Sequence, residues 1–299
     1  MTKNKVAAIV AALMTILVTV LRVWLMPGLQ DGDTGLFSSG IPIIVIMSVT
    51  VVVMFWLGRL PKDCAPALRG GFVLPAALFG MLSGSVMLVT SLYDAFMWLS
   101  RGLMPAPVKD KVNMLDNAVL LLCLVFGVLG GIFLLRMGLS WVGDGYSRRG
   151  NYRVWALAPV AWIWFRLARY EMSYASAVSV SQSFYDFMMM IFTLLFFFSL
   201  ARYVAGVGEK FPRMLTVYAF CTGLFGISAP LTRFAMYMMG ETTAYNASQL
   251  ATALDLVIGI FAFAVGIGLV FAKQLPAPET TEEQPEMDAV DGPEEAEQP

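Results

Sequence analysis

Long apolar runs alternate with short polar breaks along the whole chain, and this alternation sets its organisation. Eight apolar segments stand out, at about 6–26, 41–58, 71–99, 115–139, 154–177, 184–205, 213–239 and 251–272. Each has about the length needed to cross the hydrocarbon core as a helix. No water is available there, so each run must satisfy its backbone groups internally, and helices are the expected answer. The pattern therefore predicts an all-α, polytopic transmembrane bundle of about eight helices over residues 1–273, followed by a separate tail over 274–299.

The breaks between runs are short and rich in Gly, Pro and basic residues, as in GRLPKDCAPALRG and GDGYSRRGNYR. None is long enough for a folded domain of its own. The first run follows Lys3 and Lys5 and resembles a signal peptide at first glance. It extends about 21 residues, however, beyond the usual 7–15 of a signal h-region, and is read as the first membrane helix.

Composition strengthens this picture. Hydrophobic residues make up 58% of the chain and charged residues only 14%, against roughly 25% charged in soluble domains. The formal net charge of −1 hides a split. Residues 273–299 carry nine acids and one lysine, whereas the rest carries nineteen bases and twelve acids. The Pro- and Glu-rich end is expected to be a disordered, acidic, solvated tail that could bind a cytoplasmic partner.

Lys and Arg also give an orientation. With the N-terminus inside, thirteen bases lie on the inner side and seven on the outer. Both termini are then cytoplasmic, in a compact protein of the cell membrane. Trp24 and Trp98 would mark the outer interface, and Trp56, Trp141 and Trp155 the inner one.

An internal repeat is visible in outline. Arg22 and Arg59 lie 37 residues apart, and Arg166 and Arg202 lie 36 apart. At an offset of 139, Gly84 aligns with Gly223, Asp116 with Asp255 and Gly127 with Gly266. Two four-helix halves in the same orientation, 1–140 and 154–273, are one reading, of a kind some transporters use. Chance agreement in an apolar sequence is the other.

Candidate chemistry lies in the few charges inside the apolar runs. Placing one at the bilayer centre costs about 2.5–3.5 kcal/mol by insertion scales, so such a residue is a functional candidate by default. Arg22, Asp94, Arg166, Arg169 and Arg233 fall near the outer ends of odd-numbered segments, and Asp116, Asp186 and Asp255 where even-numbered segments enter from the same side. Pro75, Pro159 and Pro230 are possible kinks in the odd segments. One reading is an outward-facing pocket in which Arg22, Arg166, Arg169 and Arg233 bind a small anionic solute or a lipid head group through their bidentate forks. Asp94, Asp186 and Asp255 would then be charge partners or proton carriers. The other reading has the arginines snorkel, or pair with those aspartates to lock the bundle.

Other signals weigh less. Asp31-Gly-Asp-Thr-Gly resembles part of a calcium loop but lacks its later Glu. Serines 173, 176, 179, 181 and 183 fit close helix packing, and the Met188–Met190 and Phe196–Phe198 runs fit lipid or helix contacts. Asn246-Ala-Ser matches a glycosylation acceptor. Catalysis finds little support. The chain contains no histidine, so Ser83, in a Gly-Met-Leu-Ser-Gly stretch that resembles an intramembrane serine protease, lacks an imidazole base. Asp94 and Asp144 fall at opposite faces and cannot form a carboxylate dyad. Three scattered cysteines give no metal or disulfide spacing. The sequence implies no cofactor and no nucleic-acid partner; the expected partners are the lipid bilayer, an anion and a protein at the tail.

Overall fold

A computed structural model describes residues 3–25, 40–58, 64–65, 73–103, 114–142, 152–174, 180–205, 212–239, 249–271 and 275–276. Over these residues the protein is a helical bundle. The helices are α1 (Lys3–Leu25), α2 (Gly40–Leu57), α3 (Val73–Leu103), α4 (Met114–Val142), a single turn α5 (Tyr152–Trp155), α6 (Ala158–Tyr174), α7 (Val180–Ala205), α8 (Pro212–Met238) and α9 (Gln249–Phe271). Two short segments, β1 (Cys64–Ala65) and β2 (Leu275–Pro276), form an antiparallel pair. This pair ties the start of the tail to the connection between α2 and α3.

Six helices, α1, α3, α4, α7, α8 and α9, are long and apolar enough to cross a membrane. The chain is thus a multi-pass membrane protein, but two of the eight expected spans fall short. In α2 the apolar stretch is Ile43–Leu57, below the length of the others. The fifth segment is not one helix: α5 ends at Trp155, Ala156 and Leu157 form a turn, and α6 starts anew at Ala158. Pro159 explains the restart, because a proline suits the first turn of a helix, where its missing N–H is not needed. Pro75 is likewise in the first turn of α3 and begins that helix rather than bending it. Pro230 alone of the three lies inside a helix, in α8.

The hub is α8, which is buried along most of its length and packs against α9, α7, α1 and α2. The α3–α4 hairpin joins through α3 to α9, and α6 leans on α4. Membrane helices gain little from hiding apolar surface from lipid, so close packing must hold them. Glycines allow that approach. A Cβ on Gly259 would fall 2.5 Å from the carbonyl carbon of Gly226, so α8 and α9 cross backbone against backbone. On the other hairpin, a Cβ on Gly84 would meet the Gly131 carbonyl oxygen at 2.7 Å. Around the crossings lies an aromatic core. Phe196 stands edge-on to Phe261 at 5.6 Å, and Phe192 stacks on Phe225 at 5.3 Å. Trp141, expected at the interface, is instead buried and faces Phe261. The phenylalanine run divides: Phe196 and Phe197 are buried in this core while Phe198 is exposed. Apolar side chains such as Leu13, Val20, Trp24 and Trp56 face outward, where lipid would lie.

The two hairpins α3–α4 and α8–α9 pack alike. Gly84 faces α4 as Gly223 faces α9, and Gly127 faces α3 as Gly266 faces α8. Beyond the hairpins the packing differs, since α7 lies along α8 whereas α2 and α3 are not closely packed.

Candidate functional site

Helical spacing decides which polar side chains share a face, because residues three and four apart are neighbours on a helix. On α6, Trp162, Arg166, Arg169 and Tyr170 form one stripe. On α7, Asp186 stacks with Met190, and on α9 Ala251 stacks with Asp255. Arg233 follows Pro230 on α8. These stripes converge. A cleft of about 240 Å³ is walled by Arg166, Arg169, Tyr170, Asp186, Met189, Met190, Arg233, Ala251 and Asp255.

Two ion pairs cross this cleft. Arg166 grips Asp255 with both guanidinium nitrogens: Nη1 donates to Oδ1, and Nη2 donates to Oδ2 at 2.8 Å. The Asp255 side chain is only 4% exposed. The second pair joins Nη2 of Arg233 to Oδ1 of Asp186, whose side chain is 19% exposed. The first pair links α6 to α9, whose backbones are otherwise only sparsely in contact. The second links α8 to α7. Each tie therefore bridges helices around the opening, and the fork–fork geometry is the strong form of such a contact.

The remaining candidates flank the cleft. Arg22 is buried and lies over the ring of Tyr185, 4.0 Å from its centroid, near enough that its charge acts on Asp186. Such a cation–π contact suits a desolvated guanidinium. Asp94 is half-buried on α3 and interacts electrostatically with Arg169 and Arg166. Arg166 in turn lies 5.3 Å from the Trp162 ring centroid. All seven charges thus gather at one end of the bundle, at the C-terminal ends of α1, α3, α6 and α8 and the N-terminal ends of α7 and α9. Each is three to nine residues from its helix terminus, a depth of up to about 13 Å at about 1.5 Å per residue. The Asp116 side chain, the calcium-loop stretch, the serine side chains at 173–183 and Asn246 lie outside the described residues.

Sequence reasoning missed the uncharged part of the wall. Met189 and Met190 are buried in helix contacts, as the sequence suggests, and also line the cleft; the position of this run one helical turn beyond Asp186 was the available signal for the second role. Tyr170 lines the cleft, Trp162 lies beside Arg166 and Tyr185 lies under Arg22; the helical spacing of Trp162 and Tyr170 from Arg166 was legible, whereas the Arg22–Tyr185 contact between separate helices was not. Ser83 is fully buried and donates to the carbonyls of Phe79 at 2.8 Å and Val257 at 3.3 Å, which joins α3 to α9. Among the described residues no three Cys, Asp or Glu side chains are grouped as a metal would need.

Chemically, a cleft with three guanidinium forks, two carboxylates, one phenol and a methionine floor can bind and orient an anion. No family model matches the sequence, and no curated protein and no solved structure matches it either.

Proposed function

We propose that this multi-pass membrane protein is a transporter- or permease-like component that takes a small anionic solute in the arginine-walled cleft. One observation carries the reading. Among the described residues, three arginines on two helices face one open cleft, together with two aspartates, and these arginines lie five to eight residues inside their helix ends. Such a concentration of guanidinium within apolar helices is costly and by default marks a functional site. Arg166, Arg169 and Arg233 would contact the anion, with Arg22 behind Asp186; Asp94, Asp186 and Asp255 would be partners that yield to it. The protein would lie in the cell membrane with both termini in the cytoplasm and the cleft facing out, following the distribution of Lys and Arg. No catalytic step is assigned to it. The matching hairpins favour the reading as two related four-helix halves.

A second reading draws on the two ion pairs. A bundle tied by Arg166–Asp255 and Arg233–Asp186 suits a scaffold or sensor in which these charges are structural. The acidic tail, which starts beside the basic α2–α3 connection, would then meet a cytoplasmic partner.

Arg169 separates the two. Bound ligand stabilises a protein by about RT ln(1 + [L]/Kd). In neutral-lipid nanodiscs, millimolar acetate should raise the melting temperature of the wild type, and Arg169→Gln, measured against its own ligand-free melting temperature, should abolish that rise. No response to any small anion, with Arg169→Gln as destabilising as loss of Arg166, would favour the scaffold.

A further inference from the structure

We infer that the C-terminal half of α6 is a gate over the cleft, pivoted at the base of that helix and latched by Arg166 to Asp255. Packing along α6 changes from one end to the other. At its start Ala158, Pro159, Trp162 and Ile163 are buried, whereas from Trp164 to Met172 every side chain is half-buried or exposed. The facing helices are firmer. Met189 and Met190 on α7 are buried, as are Thr252, Leu254 and Asp255 on α9. An element with few buried contacts opens at low cost.

The base of α6 is clamped to α4. A Cβ on Gly130 would come within 3.2 Å of the Pro159 backbone, and one on Gly127 within 3.1 Å of the Trp162 ring. Just before the clamp the chain is jointed. Ala156 and Leu157 form the turn between α5 and α6, and Pro159 has no N–H with which to carry helical bonding across it. A few residues at the end of an element suffice for a hinge.

Beyond the clamp, side chains hold α6. Phe165 stacks on Phe126 of α4 at 5.6 Å, Arg169 is attracted to Asp94 of α3, and Arg166 grips both oxygens of Asp255. The last of these reaches across to α9, whose backbone is only sparsely in contact with α6. Helix α9 is itself fixed by its crossing with α8 at Gly226 and Gly259. The latch thus joins a loosely packed element to a fixed one.

Both members of the latch line the cleft. An anion that engages the Arg166 fork competes with Asp255, and it shifts the population toward the unlatched arrangement in so far as it binds that arrangement better. The gate rests on packing, whereas its working by an anion rests on the anion-binding reading. Arg166 and Met172 lie about 12 and about 21 Å along α6 from Ala158, at about 1.5 Å per residue. Parting Arg166 from Asp255 by the width of one water, about 3 Å, therefore carries Met172 by about 5 Å.

Spin-label distances in phosphatidylcholine nanodiscs test the gate. One pair is Met172→Cys on α6 with Gln249→Cys on α9; the control pair is Tyr237→Cys on α8 with Gln249→Cys. All three positions are exposed, and the three native cysteines are replaced by alanine. Asp255→Asn removes the latch and should lengthen the α6–α9 distance by about 5 Å, with the α8–α9 distance unchanged. Where Asp255→Asn does not fold, Arg166→Gln combined with Asp255→Asn, neutral on both sides, gives the same readout. An α6–α9 distance that stays put in the unlatched protein, or equal lengthening of both pairs, would overturn the gate. Millimolar acetate should produce the longer α6–α9 distance in the wild type. If acetate does nothing while loss of the latch lengthens that distance, the gate stands and the anion-binding reading fails.

Discussion

Arg166 and Asp255 show how a buried charge pair constrains its own mutagenesis. With Asp255 4% exposed and its oxygens taken up by one guanidinium, removal of Arg166 leaves a buried carboxylate without its bidentate partner. Breaking such a pair costs about 3–5 kcal/mol, whereas replacing both partners by neutral groups costs far less. Arg166→Gln should therefore unfold at markedly lower denaturant or temperature, and Arg166→Gln with Asp255→Asn should recover most of the loss in a double-mutant cycle. Equal destabilisation in the single and double variants would mean that the pair is not coupled as described. For the same reason a loss of function in Arg166→Ala cannot be read as loss of a ligand contact. The identity of these residues was legible in the sequence because an ionised group in an apolar run is rare. Their pairing was not. Arg166 and Asp255 are 89 residues apart, and no local pattern says which of three aspartates a given arginine will reach.

At the level of helices, the apolar runs gave element positions to within a few residues, since hydrophobic length is a strong signal. The failures were local and have physical causes. A run that reads as a span of about 24 residues, 154–177, contains Pro159, and the chain uses the proline to start a new helix rather than to bend an old one. Helix crossings were only half legible: the glycines marked close packing, but not which backbones meet. Among the described glycines, the α8–α9 crossing gives the closest backbone-to-backbone approach. An added methyl at Gly259 lands on Gly226 backbone at 2.5 Å, whereas at Gly80 it meets only the edge of the Phe261 ring at 3.1 Å. Overpacking of this kind costs typically about 1–3 kcal/mol. Gly259→Ala should lower the melting temperature clearly more than Gly80→Ala, as read by a thermal-shift assay in detergent; the opposite order would show that α8 and α9 can separate freely. Because Asp255 lies one turn before Gly259 on α9, the crossing also fixes the height at which the cleft carboxylate is held, and Gly259→Ala should weaken anion binding along with stability.

Across the whole molecule, six long apolar helices carry a charge cluster confined to one end, and the basic, Gly- and Pro-rich connections mark the other. The proposed orientation places the cluster outside, and the claim that matters most is that the cleft is an aqueous, anion-occupied site reached from that side. Ala251 lies in its wall and bears no charge. In a background with Cys64, Cys123 and Cys221 replaced by alanine, Ala251→Cys should react with a membrane-impermeant thiol reagent added to the outside of intact cells, and millimolar acetate should slow that reaction several-fold. Labelling from the cytoplasmic side only, or labelling from outside at a rate that no anion alters, would contradict the account.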